Sequence, residues 1–183
     1  MLTDLDARLE RIGTRALFAV LTVLVVIRAP YVVLNGRFWA EEGTIHFAHA
    51  HDEGGIAGLT FIDQRAGYLN LVPNIGTWIA SLVPLSIAPL VTTWLAVFVL
   101  LLLLWITLAW PSDLLPTPTA RLVAAGLLLF GPAAHPEVWL NTINSQTHLG
   151  ILGIVLLFVR LDDLTSRQFG VGVASLLAAA DIA

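Results

Sequence analysis

Residues 66–112 contain no Asp, Glu, Lys or Arg. Forty-seven uncharged residues in a row cannot be laid on the surface of a water-soluble domain, because solvated faces need charge. The run is long enough for two membrane spans, or for one span and a helix lying on the bilayer surface. Pro84 and Pro89 divide it. Residues 90–110 are uninterrupted and close on Trp105 and Trp110, as an interfacial aromatic belt would. Residues 67–84 hold Asn70, Pro73, Asn74 and Thr77 and make a poor span.

Composition extends the membrane reading to the whole chain. It is 57% hydrophobic and only 12% charged, against about 25% charged in soluble domains. There is no cysteine, so disulfide and thiol chemistry are excluded. A net charge of −4 argues against nucleic acid as a partner. The start, MLTDLDARLERIGTR, is too charged for a secretory leader, and the first apolar segment reads as a retained span. The last residues lie inside an apolar run, so the sequence reads as the N-terminal fragment of something larger.

Arginine decides between the two readings of the uncharged run. If 67–84 crosses the membrane, three loop or tail arginines fall on the inner side and five on the outer. If it lies on the outer surface, Arg8, Arg11, Arg15, Arg121, Arg160 and Arg167 are inside and only Arg37 and Arg65 outside. Inner loops are enriched in Lys and Arg, so the second arrangement is favoured. The expected fold is therefore an all-α polytopic transmembrane helical bundle with an outer juxtamembrane helix. It is one domain, 1–183, with spans near 16–34, 90–110, 121–133, 148–160 and 169–183. Surface or re-entrant helices cover 41–52 and 67–84. The N-terminus is cytoplasmic, and the polar loops 35–65 and 131–148 meet at the outer face.

The first loop concentrates titratable chemistry in NGRFWAEEGTIHFAHAHD. Adjacent Glu41 and Glu42 suit a general base with a partner or a cation site, or a solvated pair at a helix N-terminus. Glu42, His46 and His49 share a helical face at i, i+4 and i+7, followed by Glu53. That face is either a divalent-metal site or simply polar. Arg28, near the far end of the first span, either snorkels to the interface or faces a polar cavity. Gln64, Arg65, Tyr68 and Asn70 suit a lipid-linked phosphate or interfacial anchoring. Asn141, Asn144, Gln146 and His148 precede an apolar segment, and either contact sugar hydroxyls or cap the helix.

Taken together, these residues resemble the GT-C superfamily of membrane glycosyltransferases, such as protein O-mannosyltransferases and the lipid A aminoarabinose transferase. In that family an acidic pair follows the first span, with an aromatic nearby; here WAEEGTIHFAHA occupies the place. RAGYLNLVPNIGTWIASLVP resembles the Pro-containing segment that enters the outer juxtamembrane helix. LLLFGPAAHPEVWLNTINSQTH resembles the second external loop, but Asn144 or Gln146 stands where the family carries an acid, with Glu137 near. The resemblance covers about residues 15–159.

It implies transfer of a sugar from a polyprenyl-phosphate donor to a hydroxyl acceptor on the outer face, by an integral multi-pass protein of a bacterial-type plasma membrane. Glu41 is then the base and Glu42 its partner. Arg65 and Arg28 hold the donor phosphate, with Tyr68 nearby. Asn144, Gln146 and His148 contact sugar or acceptor. No cofactor is required beyond a possible divalent metal. Membrane lipids and the lipid-linked sugar are the partners. The alternative is a non-catalytic transporter, flippase or assembly subunit for lipid-linked sugars.

Overall fold

The computed structural model describes residues 2–63, 68–131 and 139–179. It is helical almost throughout, as the sequence expects. Among the described residues, strand is limited to a hairpin that pairs Ile62–Asp63 with Tyr68–Leu69. Gln64, Arg65, Gly67, Glu137 and residues 180–183 lie outside the described residues, as does the side chain of Tyr68.

The chain opens with α1 (Leu2–Ile12), stopped by Gly13 at φ 82, and α2 (Thr14–Arg28). The expected span at 16–34 is broken. Ala29 (φ −147, ψ 63) separates α2 from α3 (Pro30–Asn35). A proline disfavours helical geometry in the residue before it but is well suited to open a new helix. Gly36 ends α3 with φ 64, and a Cβ there would stand 2.6 Å from the Leu90 backbone nitrogen. The glycine lets the chain lie directly on the start of α7 (Ala88–Ala109).

The first polar loop then folds as a π-helix, Glu42–Phe47, followed by α4 (Ala48–Glu53) and α5 (Gly55–Leu59). After the hairpin comes α6 (Leu71–Ser81), where the sequence expects a surface helix over 67–84. Its 11 residues rise about 16 Å, too little to cross a bilayer core of roughly 30 Å. The remaining helices are α8 (Pro118–Phe130), α9 (Ser145–Leu157) and α10 (Ser166–Ala179).

α7 is the centre of the bundle. Val97, Leu100, Leu104 and Leu108 pack on α2, α3 and α8, while Val99, Leu103 and Ile106 pack toward α9. Spacings of three and four residues put each set on its own face of the helix. Phe18 of α2 meets Trp105 of α7 edge-on at 5.2 Å, whereas Gly36 meets Leu90, so the two segments run antiparallel.

Two ends result. At one, the Asp6 carboxylate accepts the Thr119 backbone N–H at 2.9 Å and its hydroxyl at 2.6 Å, pinning α1 to the start of α8. There too the loop after α7 pairs with the end of α9, with Arg160 N–H donating to Pro111 O at 3.1 Å and Asp113 N–H to Phe158 O at 3.0 Å. The opposite end carries α3, the π-helix and α6.

Among the described residues, α7 alone is long and apolar enough to cross a membrane by itself. α8 and α9, at 13 residues each, have the length of the spans expected at 121–133 and 148–160 but begin and end three residues earlier, and each rises only about 20 Å. The outer faces are nonetheless apolar. Val20, Val23, Ile27, Tyr31 and Leu34 form one exposed stripe, 55–76% exposed, and Val123, Leu127 and Phe130 another.

Candidate functional site

The site is built where the first polar loop crosses the start of α7. Arg37 N–H donates to the Thr93 hydroxyl at 3.3 Å, and Ala40 turns the chain at φ 46, uncommon for a residue with a side chain. Glu42 N–H donates to Trp39 O at 3.0 Å, and the π-helix begins. Gly43 has Phe38 against it, and the Phe38 ring packs on Phe47 with centres 4.5 Å apart and planes tilted by 34°.

This turn separates the two carboxylates. Glu41 is exposed, and Glu42 is buried at 0% exposure. Glu42 Oε1 accepts the backbone N–H of Thr142 at 2.8 Å and the Thr142 hydroxyl as well. The pair is 100 residues apart in the chain and joins the two polar loops. Glu42 Oε2 is buried without a hydrogen bond. The Thr92 hydroxyl favours the charged form weakly, but it donates to Pro89 O at 3.2 Å. Burial pushes the Glu42 carboxyl above the usual carboxylate range, and the two Thr142 donors only partly offset it. Arg37 lies 5.0 Å over the Trp39 ring; burial lowers its pKa, and the charge of Glu42 opposes that shift.

The histidines do not join the carboxylates. His46 is buried with Nδ1 2.9 Å from Asn74 Oδ1. Asn74 spends its amide N–H groups on Leu59 O (3.2 Å) and Phe61 O (2.7 Å), so its oxygen faces His46 and Nδ1 carries the proton. Burial holds the His46 pKa below its ordinary value, with the Asn74 bond opposing. His49 stacks on Phe61 at 4.2 Å. The expected α-helical face through Glu42, His46 and His49 is lost because the first turn is π-helical and each side chain has a different neighbour. Among the described residues no three carboxylate or imidazole groups gather.

The second loop is organised by Asn141, whose side-chain oxygen accepts Asn144 N–H at 2.8 Å and the Asn144 amide at 3.2 Å. Its backbone oxygen accepts the Ser145 hydroxyl at 3.0 Å. These bonds fix the turn that leads into α9, whose first N–H groups donate to the backbone oxygens of Thr142, Ile143 and Asn144 rather than to a side-chain cap. Gln146 keeps Nε2 buried without an acceptor. His148 is buried at 7% exposure and faces a cavity between α7, α8 and α9 whose lining does not include Glu42. Arg28 is half-buried. Its guanidinium carbon sits 4.0 Å from the Trp139 ring centre and 6.0 Å from Phe130.

Sequence reasoning missed Thr142, Asn74 as the partner of His46, and the Trp139 platform. The polarity of NTINSQTH marks the segment of Thr142, but nothing in it identifies which residue meets a carboxylate 100 positions earlier. No protein-family model, curated protein or solved structure matches this chain.

Proposed function

We propose that the protein is a GT-C-like integral membrane glycosyltransferase that moves a sugar from a polyprenyl-phosphate donor to a hydroxyl acceptor. One observation carries the reading. The Glu42–Thr142 bonds tie two polar loops together and leave a solvent-facing carboxylate, Glu41, one residue from the junction. The apolar stripes on α2, α3 and α8 support a membrane setting, since exposed patches of that kind are rare on soluble monomers.

In the proposed reaction the acceptor oxygen attacks the anomeric carbon. The bond from that carbon to the phosphate oxygen breaks, and polyprenyl phosphate departs with the electron pair. Glu41 takes the acceptor proton as the new bond forms. Glu42, without access to solvent, positions the loop rather than touching substrate. Arg28 and Arg65 hold phosphate, and Asn144 and Gln146 line the sugar side. The multi-pass arrangement, with both polar loops outside, belongs to the same proposal.

The test is transfer in membranes that express the full reading frame, from a panel of polyprenyl-phosphate sugars. General-base catalysis contributes about 10²–10⁴-fold, so Glu41→Gln should lower transfer by that factor with insertion unchanged. Glu42→Gln should be milder. Full activity in both variants, or no transfer from any donor of the panel, overturns the reading.

A further inference from the structure

The cavity of about 290 Å³ between α7, α8 and α9 that His148 faces is not lined by Glu41, Glu42 or Thr142. Ala124 and Leu127 line it from α8, and His148, Ile151 and Val155 line it from α9. The last three recur at i, i+3 and i+7, so the cavity follows the α9 axis for about 10 Å. Leu127 is 67% exposed at its rim, which opens the slot to the lipid side of the bundle.

Thr107 of α7 enters this apolar slot with an unusual feature. The residue is 2% exposed, and its hydroxyl has no hydrogen-bond partner. A threonine inside a helix ordinarily bonds back to a carbonyl one turn earlier. Thr107 lies five residues before Ser112, which pairs with Val159, so it stands near the level of Val155. His148 stands at the other end of the slot. A water beside Thr107 would find few other polar partners along the largely apolar wall of the slot. Empty apolar volume forfeits dispersion contacts. An occupant that fits has a slender hydrocarbon body and one oxygen able to meet a hydroxyl.

We propose that this slot binds a single long-chain alcohol or ester drawn from the bilayer, its oxygen hydrogen-bonded to Thr107 and its chain lying along Ile151 toward His148. The chain is of fatty or isoprenoid type. The inference rests on the membrane reading and not on glycosyl transfer.

The probe is hexadecanol carrying a mid-chain diazirine, added to the protein in phosphatidylcholine nanodiscs, irradiated, and mapped by peptide mass spectrometry. Adducts are expected on Pro118–Phe130 and Ser145–Leu157. Ile151→Trp should cut them at least tenfold by filling the slot. Thr107→Val, which keeps the volume, should cut them about threefold to tenfold, and Thr107→Ser should restore them. A diazirine hexadecane should label as weakly as the Thr107→Val variant does with the alcohol, and a matching isoprenoid alcohol distinguishes the two chain types. Unchanged adducts in Ile151→Trp and Thr107→Val, with the protein retained in membranes after alkaline carbonate, overturn the slot alone. Release by carbonate overturns the membrane reading and the slot with it.

Discussion

Glu41 and Glu42 are the same residue type at adjacent positions, and their environments could hardly differ more. Glu42 has given up water for two donors from Thr142, while Glu41 keeps its solvent. The sequence makes the pair conspicuous but cannot say which member turns inward, because that depends on a partner 100 residues away and on a turn with no sequence rule. Asn74 was legible only as a polar residue in an apolar segment, and its three hydrogen bonds were not. The buried carboxyl has a consequence in pH. Its folded pKa is raised, so the folded state favours the neutral acid. The resulting stability is complete below the ordinary carboxylate range and is lost as pH rises through the raised folded value. His46, with a lowered pKa, works the other way. Its contribution is present above the ordinary imidazole value and is lost as pH falls. The difference between wild type and Glu42→Gln isolates the carboxyl. Thermal unfolding in detergent from pH 4 to 8 should show Glu42→Gln gaining stability relative to wild type as pH rises. A constant difference across that range would show that the carboxyl does not titrate with folding.

At the scale of elements, Pro30 and Gly36 do the most to place the site. A proline at position 30 inside the first apolar segment is visible in the sequence as an interruption, whereas the contact of Gly36 with α7 is not, since loop glycines look alike in sequence. The helices over 90–110 and near 121–133 and 148–160 were legible because long apolar runs bounded by Pro and Gly leave little choice. Their bounds were less legible than their lengths: α9 starts at Ser145 and stops at Leu157, three residues earlier at each end than the expected 148–160. Gly36→Ala faces two penalties at once. Left-handed geometry costs an ordinary residue about 1–2 kcal/mol, and the new Cβ would sit 2.6–2.7 Å from the Pro89–Leu90 backbone. The backbone there belongs to a helix and cannot yield as a side chain would. We expect Gly36→Ala to lose at least about 2 kcal/mol of stability, while Gly54→Ala, also at positive φ but with open space around it, loses only the conformational part. Chemical denaturation of both variants separates the two; equal losses would mean the chain does not rest on α7 at this glycine.

For the whole molecule, the distribution of charge over the two ends is the decisive property. The helix that carries Arg8 and Arg11 is pinned through Asp6 to the start of α8, where Arg121 donates to Leu115 O at 2.9 Å. Arg160 sits at the same end, 3.1 Å from Asp163 and hydrogen-bonded to the loop after α7. Arg37 lies at the opposite end with the π-helix. Among the described residues, Arg8, Arg11, Arg121 and Arg160 thus share one end of the bundle and Arg37 lies at the other, while Arg65 is outside the described residues. A bilayer lying between those ends would have the arginine-rich end on the cytoplasmic side. The chain has no cysteine, so single cysteines can report this without background. We expect Thr44→Cys and Asn144→Cys to react with an impermeant thiol reagent added outside intact cells. Asp113→Cys and Asp163→Cys, both from well-exposed acids, should react only after permeabilisation. Labelling of Thr44→Cys alone would separate the loops that Glu42 and Thr142 join. Labelling of Asp113→Cys from outside would reverse the orientation, and with it the claim that Glu41 faces an external acceptor.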